Sequence, residues 1–244
     1  MPITCEAGKN TDRFDNATIG AGTWIEPDVE VGWRYHAQCG PATIGRNSIL
    51  RKGTIIYGDV HVGDCFQTAH YVVVRAMVTA GDYCTLMNHS CIEGIVRMGD
   101  GVRIMSHVYI PSRTWFGDYV FVGPGVTLLN DPRPGRDPQM PPPRGATIED
   151  HVMIGGGCTI MAGIRIGRRS FIAAGAVVIS DVPPESLVKG VPGRIEPLPD
   201  ALNRDNHERL TVQRTDMWHP DPPCPRPGAT IWPDYWSEPW PGTK

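Results

Sequence analysis

The chain has 244 residues and a formal net charge of −3, and its basic residues do not cluster as a nucleic-acid-binding surface requires. Its 28 glycines and 24 prolines favour many turns over long helices, while 41% hydrophobic residues are enough for a core. No stretch approaches the roughly 18 uninterrupted apolar residues of a membrane span, so no membrane association is expected.

The amino terminus and the cysteines indicate the compartment. The first fifteen residues contain no apolar segment of the kind found in signal peptides. The seven cysteines are odd in number and form no CxxC pair, which favours a reduced, cytoplasmic protein. We expect Cys65, Cys84, Cys91 and Cys158 to be small packed residues rather than ligands.

An apolar residue recurs at every sixth position from Ile19 onward, after a predicted irregular cap at residues 1–18. This period matches neither the 3.6 residues of a helix nor the alternation of a strand, and hexapeptide periods are typical of parallel β-helices. The sixth positions are Ile19, Ile25 and Val31, then Ile44, Leu50, Ile56, Val62, Thr68, Val74, Ala80, Leu86, Ile92, Met98, Ile104, Ile110, Phe116, Val122 and Leu128, then Ile148, Ile154, Ile160, Ile166, Ile172 and Val178.

The rest of the six-residue unit indicates how the coils are built. The residue four places after each apolar position is often small or β-branched and is predicted to point inward as well. Glycine follows the apolar position at intervals of 18, which predicts three six-residue sides per coil and a glycine column along one corner. We expect these glycines, and the aspartates that follow four of them, to occupy the column because they tolerate turn conformations with positive φ. The column contains Gly45, Gly63, Gly81, Gly99 and Gly117, with Asp64, Asp82, Asp100 and Asp118.

Three segments depart from this period. One extra residue between Val31 and Ile44 predicts a bulge or short loop near Trp33–Gln38. Residues 130–146 contain six prolines, which cannot donate to a β-ladder, so a loop insertion is predicted there. The β-helix domain is predicted at 19–196. Residues 197–244 form a Pro/Trp-rich extension whose four tryptophans favour packing over disorder.

The hexapeptide units, the segment DVPPESLVKGVPGRIEP and the segment GPGVTLLND together resemble the hexapeptide-repeat acyltransferase superfamily. The resemblance is nearest to nucleotide-linked amino-sugar N-acyltransferases. It implies an all-β, left-handed parallel β-helix and a homotrimer. It also implies acetyl-CoA as the acyl donor and a small-molecule amine as the acceptor.

The 18-residue coil places two histidines in one column. His89 and His107 each follow an apolar position by three residues, so they are predicted to stack on adjacent coils, about 4.8 Å apart. Histidine is the side chain best suited to proton transfer near neutral pH, so both are candidate catalytic residues. Asn88, in the neighbouring column, is a candidate substrate-binding residue.

The resemblance supplies the other candidate site residues. It implies that Asn130 and Asp131, at the start of the proline-rich loop, lie near the acceptor amine, although Arg133-Pro134 departs from the family's usual continuation. It implies that small residues of the last coils line the coenzyme A groove and that cations bind its phosphates. These residues are Gly156, Ala173, Ala174 and Gly175, followed by Lys189 and Arg194.

Three other functions remain open. A hydroxyl of a sugar or an antibiotic is the alternative acceptor, because N- and O-acylation need the same base and groove. A γ-carbonic-anhydrase-like metalloprotein would need a third histidine that converges with the other two, and His107 has Ser112 where a partner five residues on is required. No metal is therefore expected. A non-catalytic β-helix that acts as a binding or scaffold module is the remaining alternative.

Overall fold

The computed structural model describes residues 3–4, 14–136 and 143–204, which form three β-sheets around one narrow core. Sheet A contains, in spatial order, β1 (Ile3–Thr4), β3 (Trp24–Ile25), β6 (Ile49–Leu50), β9 (Gln67–Thr68), β12 (Thr85–Leu86), β15 (Arg103–Ile104), β18 (Phe121–Val122), β21 (Met153–Ile154), β24 (Phe171–Ile172), β26 (Ser186–Lys189) and β27 (Arg194–Pro197). Sheet B contains β2 (Ala17–Ile19), β5 (Ala42–Ile44), β8 (His61–Val62), β11 (Val78–Ala80), β14 (Val96–Met98), β17 (Trp115–Phe116), β20 (Thr147–Ile148) and β23 (Arg165–Ile166). Sheet C contains β4 (Glu30–Trp33), β7 (Ile55–Tyr57), β10 (Val73–Val74), β13 (Cys91–Ile92), β16 (Tyr109–Ile110), β19 (Thr127–Leu128), β22 (Thr159–Ile160) and β25 (Val177–Val178).

Successive coils stack in parallel with a register of 18 residues. Leu86 of β12 pairs with Ile104 of β15, and Ile92 of β13 pairs with Ile110 of β16. The chain passes from sheet B to sheet A to sheet C and back to sheet B, so each coil has three sides and three corners. The predicted left-handed parallel β-helix is confirmed.

The sixth-position residues point into the prism as predicted. They are buried at nearly every coil, and Ala80 is partly buried against the same core. Thr68, the one polar residue in the long run, is also buried, and its hydroxyl oxygen lies 2.9 Å from that of Thr54. Thr68 Oγ1 also accepts a hydrogen bond from the N–H of Arg51, so this hydroxyl is satisfied inside the core.

The glycine column occupies one corner, but the reason given from the sequence is wrong. None of the five glycines has a positive φ, and neither do the aspartates that follow them. A Cβ on Gly99 would lie 2.1 Å from the carboxylate Oδ1 of Asp118 in the next coil. That carboxylate accepts a 2.9 Å hydrogen bond from the N–H of Asp100, and the contact repeats along the corner. Glycine is therefore required here by close approach between coils.

Positive φ occurs instead two residues further on, at the third residue after most of the sixth positions. The non-glycine residues with positive φ at these corners include Asn47, Asp59, Cys65, Tyr71, Met77, Tyr83, His89, Ile95, His107, Arg113, Tyr119, His151 and Arg169. Each corner therefore carries one residue per coil in the left-handed region, and its side chain projects from the corner of the prism.

The predicted interruptions are present in the described residues. The pairing of β4 with β7 shifts register between Val31 and Trp33, and a turn follows. The proline-rich loop leaves the prism after β19, and the N–H of Arg144 donates to the carbonyl of Asn130 at its neck, at 2.9 Å. At the carboxyl end, β26 continues sheet A in parallel and β27 folds back on it. Most of the predicted cap at 1–18 and of the extension at 197–244 lies outside the described residues.

One cysteine departs from the prediction. Cys65 is buried, as expected for a small packed residue, but it is disulfide-bonded, so the expectation that the cysteines are reduced is wrong at this position. Cys39, Cys84, Cys91 and Cys158 are free. In the part of the chain that the structure describes, no helix has the length and apolar character needed to cross a bilayer.

Candidate active site

The corner between sheets A and C, which we call the His edge, carries both candidate histidines. The left-handed residues of its successive coils are Gly53, Tyr71, His89, His107, Gly125, Gly157 and Gly175. The ring centroids of His89 and His107 are 5.1 Å apart with an interplanar angle of 12°, and Tyr71 stacks on His89 at 5.3 Å. Both histidines are exposed. The predicted stacking of the two imidazoles is confirmed.

The lower end of the His edge is held by a charged network. The Arg51 guanidinium donates to Glu26 at 2.5 Å, and His70 Nε2 lies 3.7 Å from the same carboxylate. Burial acts to raise the pKa of Glu26, but hydrogen bonds from Arg51 and from the N–H of Lys52 outweigh it and hold the pKa below its usual value. Asn88 Oδ1 accepts from the N–H of His70 at 3.1 Å, so the Asn88 side chain is fixed beside His89.

On the three coils above His107, the left-handed position of the His edge is occupied by glycine, so no side chain covers the backbone there. A Cβ built on Gly125, Gly157 or Gly175 would meet no atom within 4 Å. Positive φ does not by itself demand glycine at this position, because Tyr71 and His89 adopt it on the coils below. Neither packing nor the backbone therefore accounts for the three glycines. They leave a shallow trough along the corner, which begins at His107 and extends about 15 Å along the axis.

The trough also presents main-chain donors. At the glycine–aspartate corner, the N–H groups of Asp64, Asp82, Asp100 and Asp118 each donate to an aspartate in the next coil. At the equivalent position of the His edge, four N–H groups have no acceptor among the described residues: those of Asn88, Ser106, Gly156 and Ala174. A ligand with carbonyl oxygens would find these donors at successive coils.

The predicted cofactor-binding residues lie at the upper end of the same edge. Ala173 N donates to the Val188 carbonyl at 2.8 Å, which places Lys189 on the coil above Ala173 and Ala174. Arg194 lies opposite Lys189 in the β26–β27 hairpin, and both side chains are exposed. Lys189 also pairs with Glu196 at 2.7 Å. The structure thus brings these residues onto one edge with His89 and His107.

A pocket of about 230 Å³ lies on the outer face of sheet A beside the lower part of the His edge. Ala69, Met87, Met105 and Phe121 supply apolar walls, while His70 and Asn88 stand at its rim. Gln67 Nε2 and Thr85 Oγ1 also line it, and these buried atoms have no hydrogen-bond partner among the described residues. Unpaired buried polar atoms are costly, so a polar ligand would satisfy them. The sequence argument missed this pocket because its walls come from five different coils.

Asn130 and Asp131 lie at a different corner. Asn130 Nδ2 donates to Ser112 Oγ at 3.2 Å, which places the pair between sheets C and B, one coil above Ser112. His107 lies at the other end of the same side of the prism, roughly 15 Å away along the strand direction. The repeat spacing gives only the separation of these residues along the axis, and a single chain does not bring them together.

The free thiols are poorly suited to nucleophilic attack. Burial raises the pKa of Cys84 to about 12. Burial and the neighbouring Glu93 raise the pKa of Cys91 to about 11, and burial also raises that of Cys158. A thiol reacts as the thiolate, so these three side chains are protonated at neutral pH and inert.

The described residues contain no group of three or more histidine, cysteine, aspartate or glutamate side chains arranged to hold a metal ion. His70, His89 and His107 occupy two neighbouring columns of one edge and do not converge. The side chains at the His edge are suited to proton transfer and hydrogen bonding.

Comparison with known proteins agrees with this architecture. A family model described as "Bacterial transferase hexapeptide (six repeats)" matches residues 145–180. The chain is 38% identical over 79 residues to serine acetyltransferase of Mycobacterium tuberculosis, covering 32% of this chain and 34% of the relative. It is 44% identical over 61 residues to 2,3,4,5-tetrahydropyridine-2,6-dicarboxylate N-acetyltransferase of Brevibacillus brevis, covering 25% of this chain and 26% of the relative. The alignments thus span about a third or less of these curated relatives.

Solved structures extend the match in fold over most of the chain. UDP-N-acetylglucosamine acyltransferase from Campylobacter jejuni superimposes with a TM-score of 0.60 at 20% identity, covering 82% of this chain and 79% of the other. The enzyme of that name from Francisella novicida gives a TM-score of 0.58 at 18% identity, covering 80% of this chain and 70% of the other. The family model places hexapeptide repeats at residues 145–180, and the solved structures share the β-helix fold over most of the chain.

Proposed function

We propose that the protein is an acyl-coenzyme A-dependent acyltransferase that acetylates a primary amine, with a nucleotide-linked amino sugar as the acceptor. The observation that carries this proposal is the His edge, where two stacked imidazoles lie directly below a trough of bare backbone with open N–H donors. A general base and a groove for an extended donor are the two parts that direct acyl transfer needs. The relatives named as acetyltransferases support the same reaction class.

The trough suits the pantetheine arm of acetyl-CoA. This arm is narrow and carries two amide carbonyls, which can accept from the N–H groups of Gly156 and Ala174. Gly175 and Ala173 add no bulk to the corner, so the arm can lie against the backbone. Lys189 and Arg194 at the upper end would then contact the phosphates, since both are cations on the exposed hairpin.

The proposed reaction needs one proton acceptor and one oxyanion site. The amine nitrogen forms a bond to the thioester carbonyl carbon, the carbon–sulfur bond breaks, and coenzyme A leaves as a thiolate that takes up the proton released by the amine. Nε2 or Nδ1 of His107 accepts the amine proton, and the N–H of Ser106, which has no acceptor among the described residues, stabilises the oxyanion. Burial raises the pKa of Cys84 and Cys91, so neither thiol is a ready nucleophile, and we infer direct transfer in a ternary complex.

The pocket on sheet A is the proposed acceptor pocket. It adjoins the His edge at Asn88, whose Nδ2 remains available to substrate while its Oδ1 is held by His70. Gln67 and Thr85 would satisfy their unpaired atoms with sugar hydroxyls. An acceptor hydroxyl in place of the amine is the second candidate, because this pocket holds no carboxylate that would select an ammonium group.

Homotrimer formation completes the proposed site. Asp131 and Asn130 lie one corner away from His107, so a second copy must supply them if they act on the same substrate. Contacts between different corners of identical subunits close into a ring under three-fold symmetry. Four free thiols fit a cytoplasmic location, and the Cys65 disulfide is the feature that argues against it.

Sedimentation velocity tests the assembly. We expect a species of three subunits at micromolar concentration, because the site needs two corners from different copies. A monomer that retains full activity contradicts a shared site and removes Asp131 from the mechanism.

A panel of amino and hydroxy acceptors, assayed by thiol release from acetyl-CoA, tests the reaction itself. We expect a nucleotide-linked amino sugar to give the highest kcat/KM and its hydroxy analogue to give little turnover. Two-substrate rate plots should intersect, as direct transfer requires. Parallel lines would indicate a covalent acyl-enzyme, and turnover of the hydroxy compounds alone would favour the O-acyltransferase alternative.

Gly157→Ala tests the trough. The added methyl group meets no protein atom, but it occupies the space proposed for the donor, so we expect KM for acetyl-CoA to rise about tenfold with kcat nearly unchanged. Gly163→Ala is the matched control, because Gly163 has a similar φ of 73° and equally open surroundings at another corner. An equal effect of both substitutions would assign the change to the backbone.

His107→Asn tests the base. Asparagine tolerates the left-handed backbone of this position, so the imidazole is removed without strain. We expect kcat to fall by about 10²–10⁴, whereas His89→Asn should mainly raise KM for the acceptor. His151→Asn is the control, because His151 has the same φ of 59° and stacks on Tyr119 at the opposite corner.

Asp131→Asn should also lower kcat, since it removes the charge that holds the acceptor amine. If His107→Asn retains near-normal kcat while Asp131→Asn abolishes turnover, the histidine is not the base. The His89–His107 pair would then contribute binding surface only.

A further inference from the structure

A second concave site lies on sheet B, away from the His edge, and we call it the Arg–Trp pocket. It has a volume of about 330 Å³ and is lined by Ile95, Arg113, Trp115, Pro143, Arg144 and Thr147. Strands β17 and β20 supply its floor, the corner between sheets C and B supplies one wall, and the returning end of the proline-rich loop supplies the other. None of these residues has a part in the chemistry proposed above.

The pocket is rich in unpaired positive charge. Arg97, Arg113 and Arg144 are exposed, and among the described residues none of their guanidinium groups has a carboxylate partner or a side-chain hydrogen bond. Other arginines on the same surface are neutralised, as Arg75 is by Glu93 and Arg165 is by Glu149. Three uncompensated cations around one concavity favour an anion with several oxygens.

The backbone holds two of these arginines in place. Arg113 N donates to the Ile95 carbonyl at 2.9 Å, within the coil stack. Arg144 N donates to the Asn130 carbonyl at 2.9 Å, at the neck of the loop. The two arginines therefore start from fixed backbone positions on adjacent coils of the same corner, close enough for both guanidinium groups to bind one phosphate group.

An exposed indole completes the pocket. Trp115, the first residue of β17, is 52% exposed, and the Arg97 guanidinium carbon lies 5.9 Å from its ring centroid. An indole face beside a cation is a stacking platform for an aromatic ring. Ile95, 44% exposed, adds an apolar contact on the same side.

We propose that the Arg–Trp pocket binds a phosphorylated nucleoside, with the base stacked on Trp115 and the phosphates bound by Arg113 and Arg144. This inference rests on the proposed function and extends it, because the proposed acceptor carries such a group. The ligand is the nucleoside diphosphate of the acceptor, since the coenzyme A phosphates are assigned above to Lys189 and Arg194. Asn130 and Asp131 lie on the same loop as Arg144, so a nucleotide held here would place the rest of its molecule beside them.

Calorimetric titration of the full chain tests this without any need for turnover. The probes are adenosine 3′,5′-bisphosphate, UDP and GDP, each at low and moderate salt. We expect UDP or GDP to bind, with an affinity that falls as salt rises because the contacts are ionic. Adenosine 3′,5′-bisphosphate is the control for the coenzyme A phosphates, and its binding should not depend on Arg113 or Arg144.

Substitutions locate the binding. We expect binding of the probe to weaken by about tenfold or more in Arg113→Gln and in Arg144→Gln, because each loses one charge-assisted contact. Trp115→Leu should also weaken binding, because it removes the stacking surface. Arg165→Gln is the matched control, since Arg165 projects from the same face of sheet B and already pairs with Glu149. Thermal melting of each variant confirms that it is folded.

Two results overturn the proposal. In the first, neither UDP nor GDP binds, although the chain still releases thiol in the acceptor assay. That result refutes nucleotide binding at this pocket and leaves the proposed function unaffected. In the second, Arg165→Gln weakens binding of the probe as much as Arg113→Gln does. That result indicates nonspecific attraction of the probe to the positively charged surface. If the probes bind in the expected pattern but no acceptor supports thiol release, the pocket stands and the proposed transfer reaction fails.

Discussion

Main-chain hydrogen bonding between equivalent residues of adjacent coils is the constraint on which the rest of this structure depends. Each strand is only two to four residues long, so no side of one coil is stable by itself, and pairing with the coils above and below supplies its order. The 18-residue register must therefore be kept at every turn. The glycine–aspartate corner shows how little space this register leaves between coils. A single methyl group on Gly99 would displace the Asp118 carboxylate, which accepts a hydrogen bond from the N–H of Asp100.

The same repetition converts sequence spacing into functional geometry. A residue in the left-handed corner position projects outward and lies over its counterpart one coil away, so a corner can be lined by any chosen side chain. The other two corners carry polar, charged, aromatic and apolar residues at this position, and Tyr119 stacks on His151 at one of them. The His edge uses it for two imidazoles and then for glycine. It also omits the aspartates that accept from the main-chain N–H groups at the neighbouring corner.

Much of this could be read from the sequence, because a period of six fixes both burial and stacking. The inward residues, the 18-residue coil, the His89–His107 stack and the loop after Leu128 all follow from that spacing. The physical reason for the glycine column could not be predicted from the sequence. A glycine required by positive φ and a glycine required by close packing look the same in a sequence. The sheet A pocket and the Arg–Trp pocket were also missed, because residues such as Phe121 and Arg144 reach them from separate coils or from a returning loop.

The triangular cross-section explains why the candidate residues divide into two groups. Residues 18 apart share a corner, and residues six apart occupy neighbouring corners, so His107 and Ser112 mark the two ends of one side. Asn130 stacks over Ser112, and with Asp131 it therefore faces away from His107, whatever their separation along the axis. The backbone of a single prism is too closely packed to bend one corner toward another. Any chemistry that uses both groups must therefore take them from two prisms set side by side.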